Sequence, residues 1–329
     1  MITAKENLLK AIRHDNPEWV PNAMQDIGVV LFLDPPVVER PMAEGYDDWG
    51  VRYLLNAEAE DGTYPASDGY PITDICNWRE QIKIPDVDAM DWNDIAEGWE
   101  RKKIDLSKID REGRIVTGLI RINIFERIYM LLGMENALVG YLTEPDEMLA
   151  LAEAIADYKI KLIRKFNEVV KLDMLWCTDD WGTQQNLFIP PNVWRKIIGS
   201  QTKRIYDVAK EYGLLINQHS CGKIEAVFSD LIEMGADLWN GCQPCNDLGY
   251  LKKTYGDKIC FLGGIDSQLL GRPGVTSEEI RAEVRKRIDQ LAPGGGYIAG
   301  PSQLTVYNRE VMGAMMDEIN TYGRNFYKK

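Results

Sequence analysis

Short apolar runs alternate with longer amphipathic segments over most of the chain after about residue 110. The apolar runs, rich in β-branched and aliphatic residues, predict strands at 115–120, 173–177, 214–217, 236–239, 259–262 and 296–299. Segments with helical periodicity predict helices near 123–138, 145–170, 248–255 and 307–322, with others beginning after Pro190-Pro191, at Lys223 and at Ser277. Because parallel strands require long crossover connections, this order predicts a parallel sheet covered by helices.

The N-terminal part of the chain is less regular. Thr3 and Glu6 have the spacing of a capping box, which predicts a first helix that ends near Asn16-Pro17. A buried strand is expected at 29–33, and the Gly-, Pro- and Asp-rich segment of about 40–90 predicts an insertion of short strands and hairpins. About seven strands result, and an eighth could lie in this irregular region.

These elements predict an α/β fold, a (β/α)8 TIM barrel that forms a single domain over 1–329 and carries an irregular N-terminal extension with short β segments. A doubly wound open sheet is the alternative. It is disfavoured because neither a phosphate-loop signature nor a Gly-x-Gly-x-x-Gly motif follows the first strand.

Composition narrows the class of protein further. The chain has 329 residues, 45% of them hydrophobic, and a formal net charge of -13, so it should form a globular protein that repels nucleic acid. No uncharged apolar run reaches about 18 residues, and the first residues lack the basic and apolar segments of a secretory signal. We therefore expect a cytoplasmic protein without a membrane span, whose six cysteines are reduced.

Chemistry is expected where the strands end, because barrel enzymes place their sites there. The strand at 214–217 leads into His219 and Cys221, which should point the same way on an extended chain. An imidazole and a thiolate can bind one Zn²⁺ ion. A hydrogen-bonded histidine beside a buried thiol is the alternative.

Two further groups of residues follow neighbouring strands. Asp179 and Asp180 are adjacent carboxylates, one of which could act as a general acid or a metal-linked base, or could simply cap a helix. Cys242 belongs to a Cys-x-x-Cys pair and could supply a third zinc ligand or pack as a small buried residue.

Several aromatic and polar residues near strand ends could line a substrate pocket, although such aromatic residues often belong to a core. The substrate-binding candidates are Trp176, Trp181, Trp239, Gln243 and Tyr307.

With these residues identified, the chain resembles the uroporphyrinogen decarboxylase superfamily and, within it, the corrinoid-dependent methyltransferases. The resemblance rests on the segments Lys5–Arg13, Val20-Pro21, Asp179–Gln184, Pro191–Trp194, His219–Gly222, Gly263–Asp266 and Gly295–Ile298. It implies a TIM barrel, His219 and Cys221 as zinc ligands, and a partner protein that carries the corrinoid. The usual third cysteine is replaced by Gln303, so Cys242, Asp180 and Gln303 all remain candidates.

Three functions follow as hypotheses. The first is a zinc-dependent methyltransferase that moves a methyl group from a small donor, a methoxylated aromatic, to a corrinoid protein. The second is the reverse direction, from a methylated corrinoid to a small thiol, as with coenzyme M. The third is a metal-free decarboxylase or small-acid-binding protein; decarboxylation of porphyrinogens is not expected, because the family's N-terminal arginines are missing from Asn22–Gly28. A homodimer is expected by analogy.

Overall fold

The computed structural model describes residues 2–32, 38–56, 62–92, 103–303 and 307–328. The strands are β1 Val29–Phe32, β2 Gly45–Tyr46, β3 Arg52–Leu55, β4 Thr63–Pro65, β5 Val116–Ile120, β6 Met174–Thr178, β7 Leu215–His219, β8 Leu238–Gly241, β9 Cys260–Ile265 and β10 Tyr297–Pro301. The α-helices are α1 Ala4–Ile12, α2 Ala23–Asp26, α3 Trp78–Gln81, α4 Ile124–Leu132, α5 Met134–Thr143, α6 Pro145–Val170, α7 Pro191–Trp194, α8 Ser200–Glu211, α9 Phe228–Met234, α10 Leu248–Tyr255, α11 Ser267–Leu270, α12 Ser277–Leu291 and α13 Arg309–Glu318.

Seven parallel strands form the main sheet in the order β1-β5-β6-β7-β8-β9-β10. A parallel bridge between Asn22 and Ala299 brings the segment before β1 beside the last strand, so the sheet curls toward closure. The predicted parallel barrel fold is thereby confirmed. Asn22 lies in the N-terminal region that could have held an eighth strand, and there it forms a single bridge and the N-cap of α2.

The predicted insertion at about 40–90 contains a separate antiparallel sheet, in the order β2-β3-β4. This confirms the expected short β segments. Residues 57–61 of the insertion, and Leu33 at the end of the predicted first strand, lie outside the described residues.

Helix boundaries differ from the prediction in places that have a physical cause. The expected helix near 123–138 is divided into α4 and α5 at Gly133, which has a φ of 81° and whose missing Cβ would lie 2.9 Å from the Tyr70 ring. A side chain there would be both strained and obstructed. The helix expected from Lys223 begins as α9 at Phe228, after a 3₁₀ turn. Helix α6 runs over the predicted range.

Two apolar layers hold the barrel together. Met174, Leu238 and Ile298 point into the barrel and pack against Leu8 and Ile12 of α1, which covers the N-terminal ends of the strands. The residues that alternate with them point outward into a larger core beneath the helices; examples are Leu175, Ile216, Trp239 and Phe261. Within its described ranges, the chain has no helix with both the length and the apolar character needed to cross a bilayer.

Candidate metal centre at the strand ends

The loops after β6 and β7 contact each other backbone to backbone. A Cβ atom at Gly222, whose φ is 78°, would lie 2.0 Å from the carbonyl oxygen of Gly182. The backbone N–H of Lys223 donates to the carbonyl of Thr183 at 2.7 Å. Glycine is therefore required at position 222, where the two loops cross. The close approach of the loops brings Asp180 beside Cys221.

Three side chains with different donor atoms meet at this crossing. The Nε2 atom of His219 lies 3.3 Å from the Sγ atom of Cys221 and 3.5 Å from the Oδ1 atom of Asp180. The ligand atoms of all three residues lie within 4.8 Å of one another, and each residue is half-buried. The same Asp180 oxygen accepts the backbone N–H of Cys221 at 2.7 Å, which fixes the carboxylate over the thiol.

This donor set fits zinc. Zinc binds imidazole nitrogen, thiolate sulfur and carboxylate oxygen in a tetrahedral arrangement, and catalytic zinc sites use three protein ligands. Burial, together with the nearby Asp180 carboxylate, raises the pKa of the Cys221 thiol well above its usual range. A metal ion must therefore displace the thiol proton, because the thiolate is the form that binds metal.

Asn240 orients the imidazole. The Nδ1 atom of His219 hydrogen-bonds the Oδ1 atom of Asn240, which is its register partner on β8. Because an amide oxygen only accepts, Nδ1 carries the proton and Nε2 presents its lone pair toward Cys221 and Asp180. Sequence reasoning missed Asn240, although its position at the end of the strand next to His219 was a usable signal.

Asp179 faces away from the donor cluster despite its position next to Asp180. It is fully buried and accepts the backbone N–H groups of Phe125 at 3.1 Å and Glu126 at 2.9 Å, and the indole N–H of Trp181 at 2.8 Å. Burial raises its pKa to about 6, although these three donors act in the opposite direction. The structure therefore places Asp179 as the anchor between β6 and the first turn of α4, not among the groups that face a ligand.

The predicted third ligands lie in different environments. Cys242 is fully buried and its thiol donates to the carbonyl of Trp239 at 3.2 Å. Gln303 is exposed, and its backbone N–H donates to the Ser267 hydroxyl at 2.8 Å. Among the residues that the structure describes, the group of mutually close ligand atoms contains Asp180 and neither of these two. The geometry thus favours Asp180 over Cys242 and Gln303.

The five residues predicted to bind substrate lie in different parts of the barrel and do not form one pocket wall. Trp176 points into the barrel and packs with Phe32 and Leu119. Trp181 packs edge-on against Trp194, and Trp239 packs against Phe228 and Phe261; both indoles are at most 1% exposed and lie in the outer core, where a ligand in the barrel mouth would not reach them.

Gln243 and Tyr307 contact backbone groups near the loops. The Gln243 side-chain oxygen accepts the backbone N–H of Gly222 at 2.8 Å, so this residue supports the crossing of the two loops. The hydroxyl of Tyr307 donates to the carbonyl of Gln303 at 3.1 Å. Of the five candidates, Trp176 is the one that the structure places on the inner wall of the barrel.

The fold and the cluster together define a parallel α/β barrel with nitrogen, sulfur and oxygen donors at the C-terminal ends of neighbouring strands. Residues 125–322, more than half of the chain, match the model of the family "Uroporphyrinogen decarboxylase (URO-D)". The chain belongs to this family.

Two methyltransferases are similar to this chain. The methylcobamide:CoM methyltransferase MtaA of Methanosarcina barkeri is 29% identical over 110 residues, which cover 32% of this chain and 31% of that protein. The matched region thus spans about a third of the relative's length. A solved methyltransferase from Methanosarcina mazei superposes with a TM-score of 0.68 over 98% of this chain and 99% of that chain, at 14% identity. This second likeness supports the barrel fold.

Proposed function

We propose that the protein is a zinc-dependent methyltransferase that moves a methyl group from a small donor, a methoxylated aromatic, to a corrinoid protein. The observation that carries the proposal is the cluster of Asp180, His219 and Cys221 at the strand ends. Membership of the URO-D family and the similarity to the methylcobamide:CoM methyltransferase MtaA of M. barkeri support the same class of reaction.

In this proposal Asp180, His219 and Cys221 hold the zinc ion, which supplies a Lewis acid for an ether oxygen or a thiol sulfur. Asn240 keeps the Nδ1 proton of His219 in place, so that Nε2 remains a donor. Trp176 points into the barrel and packs with Phe32 and Leu119; all three are at most 5% exposed, so they give the barrel interior its shape and do not form an open binding surface. Since the corrinoid belongs to a separate protein, the role of this chain is to bind and orient the smaller partner.

A second candidate is transfer from a methylated corrinoid to a small thiol. It is favoured by the similarity to the relative from M. barkeri, which is a methylcobamide:CoM methyltransferase. Both directions use the same three ligands, because zinc can also bind and activate a thiolate sulfur.

One assay separates the candidates. The purified protein is mixed with reduced corrinoid protein and a panel of methoxyarenes and methylamines, and in a second arm with methylated corrinoid protein and thiols, while methyl-cobalt absorbance is followed. The proposal expects absorbance to rise with a methoxyarene; a fall with a thiol would support the second candidate. Absence of transfer in both arms, together with absence of bound zinc, would favour the metal-free alternative.

The matched control for this assay is a second cysteine variant. Cys221→Ser should abolish transfer, whereas Cys76→Ser, which alters an exposed cysteine outside the cluster, should leave it unchanged. Equal loss in both variants would indicate a general effect on the protein and would contradict the assigned role of Cys221.

A further inference from the structure

The segment that begins at Cys221 is hydrogen-bonded to loops on both of its sides. The backbone N–H groups of residues 221–224 donate alternately to the loop after β6 and to the loop after β8. The acceptors, in order, are Asp180 Oδ1 at 2.7 Å, Gln243 Oε1 at 2.8 Å, the carbonyl of Thr183 at 2.7 Å and Asn246 Oδ1 at 2.9 Å. Neighbouring loops thus hold all four N–H groups of the segment.

The loop after β8 contributes to this arrangement through two buried side-chain amides. In addition to accepting the Ile224 N–H group, Asn246 donates from Nδ2 to the carbonyl of Gly222 at 2.9 Å and to the carbonyl of Gln243 at 3.1 Å. Gln243 is 8% exposed and Asn246 is 3% exposed. Because a buried polar group that loses its partner costs free energy, these hydrogen bonds resist opening.

The backbone of the loop after β8 keeps the two amides in place. Residues 243–246 form a turn in which the backbone N–H of Asn246 donates to the carbonyl of Gln243 at 3.0 Å. Pro244 is the second residue of this turn, a position that its fixed φ angle favours. The turn therefore presents both amides to residues 222–224 in a defined geometry.

We propose that Gln243 and Asn246 are positioning residues that hold the Cys221 thiol in place for zinc. They act through the backbone that follows Cys221, so that the sulfur already lies beside His219 and Asp180 when the ion arrives. This inference rests on the proposed function, because it concerns the zinc site assigned there.

The physical reason is the cost of ordering a loop. A ligand that comes from a loop must be fixed in position before it can bind, and this cost lowers the apparent metal affinity. On the other side of the segment, Asp180 is itself an assigned ligand. The two amides are neutral and hold the segment from the opposite side, so they can be altered without removal of a ligand.

The test measures the zinc dissociation constant of the purified full chain by competition with a chromophoric chelator. Asn246→Leu removes the amide that binds Gly222 and Ile224, and the dissociation constant should rise by about 10- to 100-fold. Gln243→Leu, which removes the acceptor for the Gly222 N–H group, should act in the same direction. Asn246→Asp keeps an acceptor for Ile224 but loses the two donated bonds, so it should lie between wild type and Asn246→Leu.

Asn7→Leu is the matched control. Asn7 is also a buried asparagine that joins its helix to another segment, because its amide donates to the carbonyl of Trp19 at 2.9 Å and accepts the N–H of Glu18 at 2.7 Å. It lies in α1, which covers the N-terminal ends of the strands, far from the donor cluster. Asn7→Leu should lower the free energy of unfolding, as Asn246→Leu should, but leave the zinc dissociation constant within a few-fold of wild type.

A cobalt titration reports on the sulfur itself. Cobalt(II) accepts the same ligand types as zinc, and thiolate coordination gives it a charge-transfer absorption. Half-maximal absorption should require about 10- to 100-fold more cobalt in Asn246→Leu than in wild type, whereas Asn7→Leu should match wild type. A role confined to stability would not move this absorption.

The outcomes separate this inference from the proposed function. Weaker zinc and cobalt binding in the Asn246 and Gln243 variants, together with normal binding in Asn7→Leu, supports it even if no methyl transfer is observed. Unchanged zinc affinity in the folded Asn246 and Gln243 variants, or an equal loss in Asn7→Leu, would overturn this inference alone. If Asn246→Leu does not fold, Asn246→Asp and Gln243→Leu decide the question. A wild type that binds no zinc would overturn both.

Discussion

Two buried polar clusters in this protein are built in opposite ways. Near α4, Arg127 contacts both Glu39 and Asp47 at 2.6 Å, Lys159 contacts Glu39 at 2.9 Å, and all four side chains are at most 1% exposed. We call these four residues the ion cluster. At the strand ends, Asp180, His219 and Cys221 form the donor cluster, in which every group offers an electron pair.

The comparison shows that polar burial alone does not identify a functional site. The ion cluster joins two carboxylates to two cations, so each buried charge has a counter-charge and the cluster anchors the N-terminal segment to the barrel. The donor cluster combines the ligand types that a transition metal prefers. Paired opposite charges therefore indicate a structural role for the ion cluster, and a set of metal-binding donor atoms indicates a chemical role for the donor cluster.

The largest expected effect is the loss of the metal from the donor cluster. Cys221→Ser and His219→Ala should each reduce bound zinc from about one ion per chain to nearly none, because each removes one of three ligands. Metal analysis after dialysis measures this directly. Cys76→Ser should retain the metal, since Cys76 is exposed and lies outside the cluster. Full zinc occupancy in Cys221→Ser would contradict the assignment.

Substitutions in the ion cluster should lower the stability of the fold and leave the zinc content unchanged. Glu39→Gln leaves Arg127 and Lys159 without one of their counter-charges, and we expect a loss of about 3–5 kcal/mol in the free energy of unfolding. Denaturant titration measures it. The control is Glu147→Gln, whose partner Arg79 lies 2.7 Å away on the surface, where a pair contributes at most about 1 kcal/mol. Equal losses in both variants would show that the ion cluster has no special role.

Glu39 also gives the ion cluster a defined pH dependence. Burial raises the pKa of Glu39, but Lys159 and Arg127 outweigh this effect and lower it from 4.5 to about 2. A carboxyl group with a lowered pKa in the folded state contributes stability above pH 4.5, and this contribution disappears as the pH falls toward 2. Glu39→Gln should flatten that part of the stability profile, and an unchanged profile would contradict the ion pairing.

A smaller effect is expected from the group that orients His219. Asn240→Leu removes the acceptor for the Nδ1 proton, and we expect the zinc dissociation constant to rise by about 10- to 100-fold. Asn240→Asp keeps an acceptor of the same size and should stay within a few-fold of wild type. Competition with a chromophoric chelator measures all three proteins. If Asn240→Leu and Asn240→Asp weaken zinc binding equally, Asn240 does not act by accepting a hydrogen bond from Nδ1 of His219.

The last effect concerns the pH dependence of zinc binding and is a change of about tenfold for each pH unit. Because burial raises the pKa of the Cys221 thiol, the metal-free protein carries this proton at neutral pH. Each zinc ion must displace it, so the apparent zinc affinity should rise by about tenfold per pH unit between about pH 6 and 8. An affinity that does not change with pH would mean that the sulfur is not a ligand.

The sequence predicted the elements that depend on periodicity. Strand β6 and helix α6 lie within about a residue of the expected ranges, because an apolar run and a long amphipathic pattern are local signals. His219 and Cys221 were identified because two metal-binding residue types stand two positions apart at a strand end. The break at Gly133 was missed because it depends on the Tyr70 ring, which is distant in sequence.

Contacts between distant segments explain the other differences. Asp179 was expected among the chemical groups, but the N-terminus of α4 supplies two backbone donors to it from residues 125 and 126. Trp181 follows an expected strand and Trp239 lies within one, yet both side chains pack in the outer core, which only the assembled barrel reveals. Asp180 is distinguished from Cys242 by the glycine crossing between two loops. These contacts join segments that are distant in the sequence, so no local sequence pattern predicts them.

The central claim is that Asp180, His219 and Cys221 bind one zinc ion, and X-ray absorption at the zinc edge of the zinc-loaded wild type tests it most directly. The account predicts one sulfur at about 2.3 Å together with nitrogen and oxygen ligands at about 2.0–2.2 Å. A first shell without sulfur would contradict the claim, and a shell with two sulfurs would contradict Asp180 as the third ligand in favour of a second cysteine.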